Sequence, residues 1–499
     1  MINPRIYEVN TRVWIKQFGG NAGLSDIPDD FIISLQKWGI DAFWMMGIWK
    51  NNPETVEKYC FEPALIASYN NSLSDWQKND VIGSPYSIDT YDINPSIGTE
   101  QELINLRNRL NEKGIKLILD FVPNHFSSYS GLLKTNPEIF LPADHALFKS
   151  DSYTFFPSPY DNKKYFTHGR DPLFSPWKDT VQVNFFSDEA RKYMIQVLSR
   201  LTNFCDGVRC DMAMLPLNNV FYNTWVGVLK KYGLEKPPTE FWQEAISTIK
   251  NINADFIFIA EAYWDLEWHL QQLGFDFTYD KRLTDRLGSA DLRTIKDHLR
   301  ADMDFQLKSV RFIENHDEER AALKFGKDRS LPAAMVISTL PGMILYHDGQ
   351  FEGRKIKLPV QLGRFPEEKS DKRIFSYYDK LLKITKQDAF RMGSWQMLDC
   401  LPVSTLDLSN ENLFAWEWTY KDIKKVVVVN YSNSTAKCRI IFNIPTESDS
   451  IKLFDELHDN TYIRQVAEIR DIGLYVELKA YNSHIFSISI KELLRTSFY

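Results

Sequence analysis

Four short stretches of this 499-residue chain end in or carry carboxylates, three of them beside His, Arg or Asn: Asp120-Phe-Val-Pro-Asn-His125, Gly207-Val-Arg-Cys-Asp211, Phe258-Ile-Ala-Glu261 and Phe312-Ile-Glu-Asn-His-Asp317. Taken singly, each has an ordinary explanation: Asp120 as a loop cap, Glu261 as a solvated strand-end charge, His316 as a hydrogen-bonded structural histidine. Their shared setting is less ordinary. Each closes a run of β-forming residues, so all four meet if those runs end at one barrel mouth. Side chains alternate along a strand, which sends Arg209 and Asp211 to one side and Val208 and Cys210 to the other. With the apolar pair outward, Arg209 lies beside Asp211 and favours the ionised carboxylate that a nucleophile needs. Glu261 follows the apolar run 256–260, where loss of water keeps a carboxyl protonated, as a general acid requires. One attacking and one proton-donating carboxyl, about 5–5.5 Å apart, are what retaining glycoside cleavage uses.

The elements that must position these groups are legible in the same sequence. Strand candidates fall at 6–14, 42–48, 115–122, 207–212, 256–260, 275–279, 310–313 and 343–346, alternating with amphipathic helical stretches. Eight strands with crossover helices predict an α/β fold of the (β/α)8 TIM-barrel type. Helix signals between them are clear. Pro28 opens one helix, Phe31, Leu35 and Trp38 mark its face, and Gly39 stops it. Thr99 with Glu102 forms a capping box ahead of Leu103, Leu106 and Leu110. Ser187 caps the helix that carries Tyr193, Met194 and Val197. Between the third strand and that helix lie roughly sixty residues, against about 2–6 in an ordinary βα loop. They predict an insertion subdomain over the barrel mouth. Past residue 390, β-type runs at 413–419, 425–430, 438–443, 474–478 and 484–489 predict an antiparallel β domain. The expected organisation is a barrel of 1–125 and 186–389, an insertion of 126–185 and a C-terminal β-sandwich of 390–499.

Composition narrows the partners. Fifty-nine basic against 66 acidic residues leave a net charge of −7, with no basic run to grip nucleic acid or an anionic membrane. No apolar stretch is long enough to cross a bilayer. The five cysteines, Cys60, Cys205, Cys210, Cys400 and Cys438, follow no CxxC or zinc-like spacing and read as free thiols of a reducing compartment. With no signal-like N-terminal segment, a cytoplasmic location is expected. Oligomeric state is left open.

The four segments, in this order and on these strands, resemble the four short conserved regions of the α-amylase superfamily, glycoside hydrolase family thirteen. The likeness extends to Gly83-Ser-Pro-Tyr-Ser-Ile, to Leu340-Pro-Gly, to the long third-strand insertion and to the terminal β domain. It implies Asp211 as nucleophile, Glu261 as general acid/base and Asp317 as the carboxylate that grips sugar hydroxyls in the transition state. It implies Arg209 orienting Asp211, His125 and His316 hydrogen-bonding the sugar, Asp120 supporting the site, and Tyr86 stacking beneath the sugar. The implied activity is retaining hydrolysis of α-glucosidic bonds in glucans or oligosaccharides. The alternative is transfer by a transglycosylase, maltosyltransferase or phosphorylase-like relative through the same intermediate. Three departures stand out. Met214 and Leu215 replace a Lys-His pair that many α-amylases carry after the nucleophile, and Ser87 follows Tyr86 where some relatives have Asp. Asn124 matches a frequent calcium ligand, yet the insertion shows no partner cluster, so Asn124 is expected to hold its loop by hydrogen bonds. No metal and no cofactor are expected, with calcium the open possibility. Met214 and Leu215 are expected to make the acceptor side dry or narrow.

Overall fold

The computed structural model describes residues 3–444 and 449–489. Eight parallel strands close into a barrel: β1 (Arg5–Asn10), β2 (Ala42–Met46), β3 (Lys116–Phe121), β4 (Gly207–Cys210), β5 (Ile257–Ala260), β6 (Phe277–Tyr279), β7 (Ser309–Arg311) and β8 (Met343–His347). They neighbour one another in sequence order, and β8 pairs back onto β1. Side-chain alternation separates two cores. Ile6, Trp44, Ile118, Ile259, Tyr279 and Leu345 point into the barrel. Val208 and Cys210 point outward into the layer shared with helix residues such as Leu103, Leu106 and Met194, which leaves Arg209 on the inside as the alternation predicts.

The first strand is shorter than its sequence pattern. It ends at Asn10, and Thr11–Trp14 forms a helical turn with all four residues buried. A single buried turn satisfies the same apolar run, and it swings Arg12 round to donate to the carbonyls of Gly83 (2.9 Å) and Val360 (2.8 Å). Two glycines fit because nothing larger does. A Cβ on Gly207 would stand 2.6 Å from the Ile257 carbonyl, and one on Gly342 (φ 106°) 2.3 Å from that of Ser309.

The predicted caps form. Thr99 Oγ1 accepts from Glu102 N at 3.3 Å, and the Glu102 carboxylate accepts from Thr99 N at 2.7 Å, starting helix Glu100–Glu112. Ser187 accepts from Ala190 N to start helix Asp188–Leu201. Pro28 sits one residue before helix Asp29–Lys37, at its N-cap.

The insertion carries a three-stranded sheet of Pro142–Ala143, Phe155–Pro157 and Tyr165–Thr167, and Thr180–Gln182 returns antiparallel to His125–Ser127. The C-terminal region is two antiparallel sheets, one of six strands and one of three. Strands Ser394–Leu398, Ser450–Asp455 and Asn460–Gln465 escape the sequence reading. Asn460–Gln465 is an edge strand with no buried residue, so no apolar alternation announces it. Residues 445–448 and 490–499 of the expected C-terminal domain lie outside the described residues. Among the described residues no helix is long and apolar enough to cross a membrane, and all five cysteines are free.

Candidate active site

Asp211 and Glu261 are the first residues beyond β4 and β5, strands that pair directly with Arg209 opposite Ile259. Both are buried, as is Arg209 beneath them. The Arg209 guanidinium joins the two carboxylates: Nη1 meets Asp211 Oδ1 at 2.8 Å and Nη2 meets Glu261 Oε2 at 2.8 Å. A third carboxylate, Asp120, lies 3.9 Å from Nη1. The guanidinium is walled by the rings of Trp44, Tyr86 and Tyr279, 5.3–5.7 Å from its carbon. A buried cation shared by several anions satisfies charges that would otherwise be costly to take out of water.

This refines the division of labour expected from the sequence. Arg209 serves both carboxyls rather than Asp211 alone. Burial raises the Asp211 carboxyl to about 7; Arg209 opposes the rise and Glu261 adds to it. Glu261 Oε2 also accepts from the backbone N–H of Met212 at 2.6 Å, and Oε1 accepts from the Tyr263 hydroxyl at 2.8 Å. Oε2 is therefore held by Arg209 and Met212, and Oε1 by Tyr263 alone. The backbone after each carboxyl is unusual. Met212 (φ 43°), Trp264 (φ 64°) and Asp265 (φ 65°) adopt left-handed conformations that side chains with a Cβ rarely take. The Met212 turn is what aims its N–H at Glu261.

His316 lies between two acids. Its Nδ1 bonds Glu8 on β1, and its Nε2 lies 2.7 Å from the Tyr86 hydroxyl and 3.0 Å from Asp317 Oδ2. Burial acts to lower its pKa, but Asp317 and Glu8 overrule it and raise the imidazole to about 10. Asp317 is the one member of the group on the rim, its side chain 47% exposed. Tyr86 stacks on His316 with ring centroids 5.5 Å apart. His125 is buried, its pKa lowered to about 4 by that burial. Asp120 is held beneath the site by Trp44 Nε1 (3.2 Å) and Gly47 N (2.9 Å), and burial raises its carboxyl to about 6.

Every residue picked from the sequence thus gathers at one end of the barrel. Glu8, Trp44 and Tyr279 were not picked, because each is a barrel-strand residue that only the closed barrel brings to Arg209 or His316; Tyr263, also not picked, reaches Glu261 from two residues further along the chain. The insertion also contributes more than its length suggests. Trp177 lies against His125, with ring centroids 5.2 Å apart, and the Asp179 carbonyl accepts from Ser87 Oγ at 2.8 Å. Segment 177–179 is thereby pinned against Ser87 and His125. Asn124 holds its loop, with Oδ1 accepting from Gln182 Nε2 at 2.8 Å. Met214 is packed in the main core and Leu215 is 3% exposed, so neither offers a surface to an acceptor; the expectation that they narrow that side is not met.

The alpha amylase catalytic-domain model matches residues 30–357. Alpha-amylase MalA of Haloarcula japonica is 21% identical over 440 residues, 86% of this chain but only 55% of its own length. Alpha-amylase 3 of Dictyoglomus thermophilum is 23% identical over 427 residues, 73% of this chain and 80% of that one. A cyclomaltodextrin glucanotransferase of a Bacillus species is 23% identical over 461 residues, 89% of this chain and 58% of the relative. The solved structure of AmyB from Thermotoga neapolitana, a noncanonic maltogenic alpha-amylase, shares the fold with a TM-score of 0.70 and 21% identity, over 98% of this chain and 99% of that one. Matched from before β2 to the loop beyond β8, across the strand ends that hold Arg209, Asp211 and Glu261, the chain belongs to the alpha-amylase family.

Proposed function

We propose that this protein cleaves α-glucosidic bonds of glucans or oligosaccharides with retention of configuration. The observation that carries the reading is the buried Arg209 guanidinium bridging the carboxyls of Asp211 and Glu261 at adjacent strand ends. Asp211 attacks the anomeric carbon while Glu261 protonates the departing glycosidic oxygen; the covalent bond to Asp211 is then hydrolysed by water that Glu261 deprotonates. Asp317, on the rim, grips sugar hydroxyls in this reading, and Tyr86 and His125 form the floor and wall of the sugar site. The test has two parts. Asp211→Asn and Glu261→Gln are each expected to lower kcat by several orders of magnitude in folded protein. Proton NMR before mutarotation is expected to show the α-anomer first. A tenth of wild-type rate in either variant, or a β-anomer, overturns the assignment.

Transfer to a sugar acceptor is the second reading, favoured by the likeness to a cyclomaltodextrin glucanotransferase along 89% of this chain. Water and acceptor compete for one glycosyl-enzyme, so raising the acceptor concentration separates the two: longer oligosaccharides mean transfer, and hydrolysis products alone exclude it. We further propose that the reaction proceeds without calcium. The support is Asn124, whose Oδ1 already accepts from Gln182, and the apolar, buried Leu215. Adding calcium to chelator-treated enzyme is expected to change neither kcat nor Tm. A calcium-specific gain in either refutes this.

A further inference from the structure

A carboxylate removed from water needs a compensating cation. Asp455, at the end of strand Ser450–Asp455, is fully buried, and among the described residues no lysine or arginine pairs with it. Its partners are two imidazoles: Oδ2 lies 2.7 Å from His458 Nδ1 and 2.6 Å from His484 Nδ1. His458 comes from the turn three residues on, and His484 from strand Ser483–Ser489 of the same sheet. We propose that Asp455, His458 and His484 form a binding site for a transition-metal dication of the zinc class.

The donor set and its surroundings support this. Two imidazole nitrogens and one carboxylate oxygen suit zinc, cobalt or nickel, whereas calcium takes oxygen ligands. All three donor atoms lie within 4.8 Å of one another. Ligands on a tetrahedral ion with bonds of about 2.0–2.2 Å stand roughly 3.3–3.6 Å apart, so the rings need retreat only by about 0.6–0.9 Å. They have the freedom to do so, His458 being 38% and His484 15% exposed. The carboxylate does not move with them. Oδ1 accepts from Leu457 N (3.2 Å) and Ile485 N (3.3 Å), the kind of outer support that fixes a ligand's orientation. On its open side His458 lines a cavity of about 610 Å³ shared with Tyr377 and Lys380, from which water can supply the fourth ligand. The position indicates a stabilising ion. It would tie the turn after Asp455 to a neighbouring strand, next to the Lys380–Asp459 ion pair that links this turn to helix Lys372–Thr385. It lies outside the barrel-mouth machinery, so turnover is independent of it.

The test uses the full chain, stripped of metal and titrated with Co²⁺ and Zn²⁺. The expected result is one Co²⁺ per chain with the visible absorption of a tetrahedral site, displacement by Zn²⁺, and a Zn²⁺-dependent rise in Tm that Ca²⁺ does not reproduce. His458→Gln and His484→Gln should each weaken Zn²⁺ binding at least tenfold while kcat stays at the wild-type value. Absence of stoichiometric binding in the wild type, or wild-type affinity in both variants, overturns the site and leaves a hydrogen-bonded His–Asp–His brace.

Discussion

Arg209 is the residue on which the candidate site turns, because a single planar cation holds two carboxyls that the proposed mechanism uses in different protonation states. Arg209→Lys keeps a charge but cannot present two nitrogens in a fixed fork. It is expected to fold and to lose at least a hundredfold in kcat/KM. Arg209→Leu leaves three buried acids unpaired and should cost about 3–5 kcal/mol of stability as well; thermal unfolding and steady-state kinetics check both, and near-wild-type kinetics in either variant would contradict the bridging role. The pH dependence follows from the same geometry. Burial raises Asp211 to about 7, and in the proposed mechanism only its ionised form attacks, so kcat/KM should rise with pH through about 7. His316 behaves in the opposite sense. With its pKa raised to about 10 by Asp317 and Glu8 against burial, its contribution to stability is complete below the ordinary imidazole value and is lost as pH rises through about 10. Glu8→Gln removes one of the two anions. The alkaline loss of Tm should then begin about one pH unit earlier, and identical Tm–pH curves would remove Glu8 from the account.

At the scale of the element, local signals and local structure agree where the chemistry of an end is complete within a few residues. The Thr99–Glu102 box is such a case, satisfying two otherwise unpaired N–H groups at the start of helix Glu100–Glu112. Thr99→Ala should cost about 1 kcal/mol, read from the midpoint of chemical unfolding, with kcat unchanged. Gly342 is the contrasting case. Its φ of 106° and the 2.3 Å approach to the Ser309 carbonyl leave no room for a methyl group. Gly342→Ala should cost more than Thr99→Ala and shift β8 against β7; an equal or smaller loss would show that the backbone there can relax.

Across the whole molecule, strands Leu413–Tyr420 and Ile423–Asn430 at the centre of the six-stranded C-terminal sheet are buried on both faces. Phe414, Trp416, Trp418, Val427, Val429 and Tyr431 join the core of the barrel helices, while Leu413, Ala415, Val426 and Val428 face the second sheet. That explains why 413–418 and 426–429 read as nearly unbroken apolar runs. Trp418 Nε1 donates to the Thr339 carbonyl (2.7 Å) and the Tyr431 hydroxyl to that of Leu287 (2.9 Å), so the sheet is bonded to the barrel as well as packed on it. Trp418→Ala should cost about 3–5 kcal/mol. Barrel and sheet should still unfold together in calorimetry, and two separated transitions in the wild type would contradict the shared core.

The sequence alone determined the eight strands, the caps, the long insertion and the carboxylates, since these depend on alternation, helical period and residue type within short windows. Val208 and Cys210 outward with Arg209 inward is such a result. What only the tertiary structure decided was which distant groups meet. Glu8 reaches His316 across 308 positions, and Tyr279 reaches Arg209 across 70. Asp455 finds His484 from another strand. No local pattern encodes these meetings, because they follow from barrel closure and strand order, which place residues side by side regardless of their separation along the chain.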